Sequence, residues 1–368
     1  MKRVHLVQIG VGLIGSTVLE QVAANRATWR ERLGLDVGVS AIVGSTAAIL
    51  APDGGFDDEQ LAAIVASRRG GQSLDQLAEV LGLTAVERRL AVSADVATAD
   101  AIVVDTAAGP ETTPLLGAAL TNGAGIVAAN KAPFALPTGH SCGDALWQHA
   151  GTGGRVRYEA TCGAGLPIIS TLRTLLDTGD EVTEITGSVS GTFGAIFSSV
   201  AAGASFSAAV AEAKAAGYTE PDPRDDLSGL DVARKALILA RTIGRRVDLD
   251  EVEVESLVPA ALAEVDVATF LARIGEADAD IAARAAAAKL EGKTLKYVAT
   301  VRPDGPIRVG LEAVDTSRVL GALQGPENII SITTRRYARY PVAVTGPGAG
   351  AEVTAAGVVA DILALALA

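Results

Sequence analysis

Sulfur, imidazole and positive charge are all scarce in this chain. There are two cysteines, Cys142 and Cys162; two thiols without a repeating pattern build no disulfide framework, and they fit a reducing cytoplasm. The three histidines, His5, His140 and His149, form no HxxxH, and no CxxC occurs, so a zinc site is not expected. Acidic groups outnumber basic ones to a net charge of −12, with a pI near 4.8. That balance argues against nucleic acid or an anionic membrane surface as partner. No apolar run approaches the ~20 residues of a membrane span. The first residues, Met-Lys-Arg-Val-His-Leu-Val-Gln-Ile-Gly, start basic and turn apolar. They run straight into a glycine turn with no small-residue cleavage site, and so read as a first strand and not as a signal peptide. Only seven lysines occur, so a lysine inside a motif is less easily dismissed as a routine surface charge.

What is present is enough for a large core: 368 residues, of which 49% are hydrophobic. Strands are expected at 4–9, 37–43, 101–105 and 125–129, with helices at 16–24 and 113–121 and a polar, Ala-rich helical tract carrying Gly and Pro breaks over roughly 47–90. Short, continuously apolar strands alternating with helices indicate a Rossmann-type, doubly wound parallel sheet. Beyond residue 150 the pattern becomes α+β, with strands at 156–160, 184–190, 297–302, 307–311 and 329–334. Longer helices at 166–176, 206–216, 230–240 and 275–288 accompany them. The expected organisation is a dinucleotide-binding domain over 1–150, completed by 338–368, and a second domain over 151–337 for substrate binding and dimerisation.

Gly10-Val-Gly-Leu-Ile-Gly15 follows the first strand and opens the first helix. In GxGxxG the first glycine allows the tight turn and the second lets backbone N–H groups approach a pyrophosphate. The third lets the helix pack close with its positive end towards the phosphates. Gly10, Val11, Gly12, Leu13, Ile14 and Gly15 are therefore candidate cofactor-binding residues. The carboxylate that usually ends the second strand and holds a ribose 2′-hydroxyl is missing. Gly44-Ser45-Thr46 stands there, and the nearest acid downstream is Asp53. This favours NADP, or dual use with NAD, over strict NAD. Asp105-Thr106 and Asn130-Lys131 end later strands, where ligands of open α/β sheets bind. Thr106, Asn130 and Lys131 thus fall where a nicotinamide is expected.

The stretch Gly217-Tyr-Thr-Glu-Pro-Asp-Pro-Arg-Asp-Asp-Leu-Ser-Gly-Leu-Asp-Val-Ala-Arg-Lys235 sets Glu220, Asp222, Asp225 and Asp226 in a Gly/Pro-broken loop. A helix with Asp231 and Lys235 on one face follows. A solvated acidic loop with a helical ion pair accounts for the pattern; so does a site for a small cationic substrate that needs proton transfer. Tyr158-Glu-Ala-Thr-Cys-Gly-Ala-Gly-Leu-Pro167 is a strand entering a glycine-rich turn. Its carbonyls suit a hard monovalent cation or ordered water. Cys162 has no histidine near it in sequence, which speaks against a nucleophilic thiol.

Taken in order, GxGxxG, Asn130-Lys131-x-Pro, YEATxGAGLPII, Ser190-Gly-Thr192, GYTEPDPRDDLSGLDVARK, Glu255-Ser-Leu-Val-Pro259 and GxGAGAxVTAAGV resemble the homoserine dehydrogenases over essentially the whole chain. The resemblance implies NAD(P)-linked interconversion of L-homoserine and L-aspartate 4-semialdehyde, on the way to threonine and methionine. It implies Lys235 as proton donor or acceptor, with Lys131 near the nicotinamide and the reacting oxygen. Glu220 and Asp231 hold the substrate beside Gly217, and Gly350 touches the cofactor. The backbone carbonyls of Glu159, Cys162, Ala164 and Leu166 match those that bind sodium in the family, and a homodimer is the family expectation. Two departures stand out: Cys162 where valine is usual, and Gly194-Ala195 where Asn-Tyr commonly follows Ser-Gly-Thr. The resemblance is to the form without a regulatory ACT domain. Two other readings compete with it. Aspartate-semialdehyde dehydrogenase would need a thioester-forming cysteine, and a non-catalytic NAD(P) sensor would need no proton relay.

Overall fold

The computed structural model of the chain describes residues 1–52, 55–151 and 153–368. They form two compact units, Met1–Pro167 with Gly350–Ala368, and Ile168–Ala349. Among the described residues no helix is long and apolar enough to cross a membrane.

The first unit holds a six-stranded sheet of β1 (Lys2–Ile9), β2 (Leu35–Val43), β3 (Ala48–Leu50), β4 (Ala101–Asp105), β5 (Gly125–Ala128) and β6 (Val156–Arg157), in the order β3-β2-β1-β4-β5-β6. All neighbours run parallel except β2 and β3. The order reverses direction at β1, so the switch point where such sheets bind ligands lies at its carboxyl end, at Gly10. Helix Leu13–Leu33 leaves from there, longer than the expected 16–24 because Trp29 carries its buried face into the last turns. Gly34, at φ +67°, then closes it in the left-handed region. The tract 47–90 is broken as expected, but it opens on a strand. It contains β3 and two helices, Asp58–Arg69 and Leu74–Val80, each opened by a capping box (Asp57 with Gln60, Ser73 with Gln76).

Helix Ala351–Leu367 shares the core of this unit, Val358 and Ile362 packing in one cluster with Leu6, Val18 and Val22. It crosses the 163–165 turn at glycine on both sides. A Cβ on Gly165 would sit 2.0 Å from the Val353 carbonyl oxygen, and one on Gly357 would sit 2.9 Å from Gly165 Cα. The first unit therefore ends at Pro167 and not near 150, because β6 joins the sheet through β5 and the turn after it packs under this helix. Strand 156–160 is cut short at Arg157. A 3-10 turn, Glu159–Thr161, replaces its end, with the Thr161 hydroxyl donating to the Tyr158 carbonyl at 2.7 Å.

The second unit holds β7 (Val182–Ser188), β8 (Val252–Val254), β9 (Lys293–Val301), β10 (Ile307–Asp315), β11 (Glu327–Thr334) and β12 (Val342–Pro347), ordered β12-β11-β7-β9-β10-β8. Pairing is antiparallel except between β10 and β8. Alternation along β10 is clear, with Ile307, Val309 and Leu311 buried while Arg308 and Glu312 face out. Helices Gly191–Ala201 and Leu230–Thr242 pack on β9. Residues 342–347 pair with β11, so the chain returns to the first unit at Gly350 and not at 338.

Candidate functional site

In the first unit, the glycine turn is fixed by close approaches. Gly10 sits at φ +80°, and a Cβ there would meet the Ala107 nitrogen at 2.8 Å. A Cβ on Gly15 would lie 2.0 Å from the Gly10 carbonyl oxygen and 2.6 Å from Thr106 Oγ1, whereas Gly12 has nothing within 4 Å. Glycine at 10 and 15 is thus required by packing, and at 12 by nothing in the protein itself. The helix that starts at Leu13 has no side-chain cap and no acid in its first turn. Its first N–H groups, around Leu13, Ile14 and Gly15, are left for an anion in front of Val11 and Gly12.

Thr106 does not simply face outward. Its hydroxyl donates to the Gly10 carbonyl at 2.8 Å and accepts from Gln8 Nε2 at 2.8 Å, bracing the turn from beneath. Beside it Asp105 is fully buried. Its carboxylate accepts from Thr112 Oγ1 at 2.6 Å, the Ala107 N–H at 3.0 Å and Asn130 Nδ2 at 3.1 Å. Burial pushes its pKa up, against the pull of those donors. Asn130 in turn donates to the Gly109 carbonyl at 2.7 Å and accepts from the Ala132 N–H at 3.0 Å. One carboxylate thus ties the loop after β4 to the loop after β5, and the second of these carries Lys131, half-buried. Asp105, Thr112 and Gln8 have no role in the sequence reading. An Asp that closes one apolar strand, followed by Asn at the next strand end, is the only trace of this link in the sequence.

The β2 end agrees with the missing carboxylate. Ser45 and Thr46 are exposed just beyond Val43, whose carbonyl accepts from the Gly10 N–H at 2.8 Å. Asp53 lies outside the described residues. At the other edge of the unit, the loop carrying Glu159, Cys162, Ala164 and Leu166 contains Ala164 at φ +55°, a left-handed conformation that no other non-glycine described residue adopts. The Cys162 side chain is fully buried there, so valine and cysteine meet the same demand. Asp361 reaches under this loop and accepts from the Glu159 N–H at 2.8 Å. Burial raises its pKa to about 7, helped by the neighbouring Glu159 charge.

In the second unit, helix Leu230–Thr242 starts at Gly229, φ +76°, where a Cβ would lie 2.0 Å from Tyr297 Oη. Tyr297 stacks on Phe193, centroids 3.7 Å apart, and its hydroxyl donates to the Glu255 carbonyl at 2.6 Å. The helix start is therefore seated on a rigid aromatic pair. One turn on, Lys235 is buried; its ammonium donates to the Val189 carbonyl at 2.6 Å and pairs with Asp231 Oδ2 at 2.8 Å. Asp231 is the outer partner, with 47% of its side chain exposed against 10% for Lys235. A buried ammonium held by a carbonyl and a half-exposed carboxylate can pass a proton to a ligand that approaches from the Asp231 side.

The acidic loop is more ordered than its composition suggests. Asp222 caps the short helix Pro223–Leu227 and is neutralised by Arg224 at 2.6 Å, which holds its pKa down. Asp226 is a latch, accepting from the Glu220 N–H at 2.8 Å and from the Thr192 hydroxyl at 2.8 Å. Thr192 also lies 2.5 Å from the Tyr218 carbonyl. Burial raises the Asp226 pKa, and the like charges of Asp231 and Asp225 add to it. Glu220 itself stays exposed, and so does Gly217, at φ +75°. Gly194 is explained by packing as well. A Cβ there would lie 2.5 Å from the Gly325 carbonyl oxygen, so the turn at 325–326 takes the space beside the helix start. Among the described residues no group of three or more His, Cys, Asp or Glu side chains could hold a metal ion.

Comparisons with known proteins agree with one another. The family profile for homoserine dehydrogenase matches residues 167–363. The homoserine dehydrogenase of Paracoccidioides brasiliensis is 38% identical, the match covering 98% of this chain and 97% of that protein. A chloroplastic bifunctional aspartokinase/homoserine dehydrogenase of Zea mays is 40% identical over 97% of this chain, which spans only 38% of that longer protein. In fold, the chain superposes on a hyperthermophilic archaeal homoserine dehydrogenase in complex with NADPH with a TM-score of 0.73. There the identity is 24%, with 98% of this chain and 97% of that one covered. Fold, motif order and sequence similarity over nearly the full length converge, and the chain belongs to the homoserine dehydrogenase family.

Proposed function

We propose that the chain interconverts L-homoserine and L-aspartate 4-semialdehyde, with NADP(H) as the preferred cofactor and NAD(H) accepted. The observation that carries this is Lys235, a buried ammonium locked between the Val189 carbonyl and Asp231 on a helix whose start is rigidly seated. A non-catalytic sensor has no use for such a group. A thioester route fares worse, because Cys162 is fully buried and Cys142 packs on Gly117.

The open space at Gly12 and the uncapped helix start fit a pyrophosphate, and exposed Ser45 and Thr46 leave room for a 2′-phosphate. When bound, the nicotinamide supplies or takes the hydride. Lys235 gives the proton to the carbonyl oxygen during reduction and removes it from the hydroxyl during oxidation. Lys131, on the loop that Asn130 and Asp105 tie down, stabilises negative charge on that oxygen. Glu220 and Asp231 take the substrate ammonium, Asp226 and Thr192 holding the Glu220 loop in place, with Gly217 at its entry. Gly350 and Thr106 complete the cofactor contacts, Thr106 by shaping the turn. We assign the carbonyls of Glu159, Cys162, Ala164 and Leu166 to a sodium ion, a reading favoured by the unusual left-handed Ala164. A homodimer in the cytoplasm completes the proposal, and the two free cysteines suit a reducing compartment. The test is homoserine-dependent reduction of NADP and NAD by the purified chain, with and without sodium. Absence of turnover with both cofactors sinks the reading.

A further inference from the structure

Asn328, in β11, is completely buried, and neither its Nδ2 nor its Oδ1 has a hydrogen-bond partner. A buried amide left unpaired at both atoms is costly and needs a reason. Its position supplies one. β11 pairs with β7 through Ile329 and Ser188, and one further step of that antiparallel register sets Asn328 beside Val189. Val189 is the residue whose carbonyl holds Lys235. On its other side Asn328 pairs with Gly346 of β12, and its side chain lies against Gly348. A Cβ on residue 348 would fall 1.8 Å from Nδ2 and 2.4 Å from Oδ1, so only glycine leaves the amide its place. Gly346 and Gly350, at φ +154° and +121°, flank that position.

We propose that Asn328 is the anchor for the carboxamide of the nicotinamide ring, with Gly348 and Ala349 covering it until the cofactor binds. The proposal rests on the dehydrogenase reading. Hydride transfer needs the ring's C4 within about 3–3.5 Å of the reacting carbon, and that carbon bears the oxygen served by Lys235. The carboxamide stands on the neighbouring ring carbon, so it falls within a short reach of Lys235, and Asn328 follows in the strand register next to Val189, the residue that holds Lys235. Both orphan atoms point to this ligand. A carboxylate only accepts, an ammonium only donates, and a hydroxyl has a single oxygen to set against two atoms. A second amide offers a donor and an acceptor side by side and satisfies both. Residues 348 and 349 lie beyond the last β12 pairing, and Gly348 has no side chain to hold it over the amide, so their displacement leaves the strand intact.

The test compares binding of three ligands by calorimetry: NADP+, its 3-acetylpyridine analogue, in which methyl replaces the amide NH2, and 2′-phospho-ADP-ribose, which has no ring. Wild type is expected to bind NADP+ up to about tenfold more tightly than the analogue, the effect of one hydrogen bond. In Asn328→Leu that preference disappears, while 2′-phospho-ADP-ribose binds as in wild type. The ligand-free Asn328→Leu protein should melt no lower than wild type, since it loses an unpaired buried amide of similar volume. An unchanged preference in Asn328→Leu overturns the proposal, as does a lower melting temperature with loss of all three ligands, which marks a structural residue. Asn328→Asp, which keeps the volume and the oxygen that accepts from the carboxamide NH2 but cannot donate, should retain a preference for NADP+ over the analogue and guards against a repacking effect of leucine. If wild type fails to bind even 2′-phospho-ADP-ribose, the dehydrogenase reading fails and takes this proposal with it. If it binds but the preference is absent from wild type, only the proposal fails.

Discussion

Two glycines of one turn should fail in opposite ways when each is changed to alanine. A Cβ on Gly15 lands 2.0 Å from one backbone oxygen and 2.6 Å from Thr106 Oγ1, while a Cβ on Gly12 meets nothing within 4 Å. Ordinary C···O contact is near 3.3–3.6 Å, so Gly15→Ala must open the turn by roughly 1 Å. The nearest obstacle is the Gly10 carbonyl, which is backbone and cannot rotate away. Overpacking of this kind costs about 1–3 kcal/mol. For a unit of this size each kcal/mol moves the melting temperature by about 2–4 °C, which gives an expected fall of about 2–12 °C. Gly12→Ala sits at φ −75°, which alanine adopts freely, and should melt within about 2 °C of wild type. Its methyl group, however, fills the space in front of the helix N-terminus. If it removes even one charge-assisted hydrogen bond to phosphate, ~1.5–3 kcal/mol, NADP affinity falls at least about tenfold. Thermal melts without ligand and fluorescence titration with NADPH separate the two effects. Equal destabilisation by both changes, or full NADPH affinity in Gly12→Ala, would refute the reasoning.

Four further outcomes are expected. Lys235→Ala should lose about 10²–10⁴-fold in turnover while NADPH titration is unchanged, as expected for a proton-transfer group; near-normal turnover removes it from that role. Glu220→Gln should raise the KM for homoserine with little change in kcat, and an unaltered KM excludes it from the substrate site. Ser45→Asp or Thr46→Asp should shift kcat/KM from NADP towards NAD by repelling a 2′-phosphate, and a wild type that ignores NADP would contradict the pocket assigned here. Asp361 has its pKa raised to about 7 in the folded chain, above its unfolded value. The folded state therefore holds a proton that the unfolded state has released, and this contribution is present below about pH 4 and declines as pH rises towards 7. Melting temperatures of Asp361→Asn should be flatter than wild type over that window, and parallel curves would show that Asp361 does not titrate there.

The sequence made the parallel sheet legible because its strands are continuously apolar and its first turn carries three glycines at fixed spacing. Helix Leu230–Thr242 and the Asp231–Lys235 pair were legible from spacing alone, since residues four apart on a helix share a face. The division between the units was not. The glycines at 165 and 357 that lock the returning helix to the 163–165 turn look like ordinary loop and helix glycines until their partners are known. The supporting shell was equally hidden. Asp105, Thr112 and Asn130 come from three separate segments, and Thr192 meets Asp226 across 34 positions of chain. Local pattern registers charge and periodicity, whereas these contacts are created by the sheet order.

Because residues 350–368 belong to the same unit as residues 1–167, synthesis order and folding order must differ. The strands of this sheet leave the ribosome before the whole second unit, yet the face on which Val358 and Ile362 pack stays uncovered until residues 350–368 follow. The intervening unit has all of its strands earlier and can close on itself while the first still waits. During that interval Leu6, Val18 and Val22 offer exposed apolar surface, a natural target for a chaperone. A premature stop anywhere before residue 350 would harm the cofactor-binding unit, although most of the codons that specify it lie before the second unit.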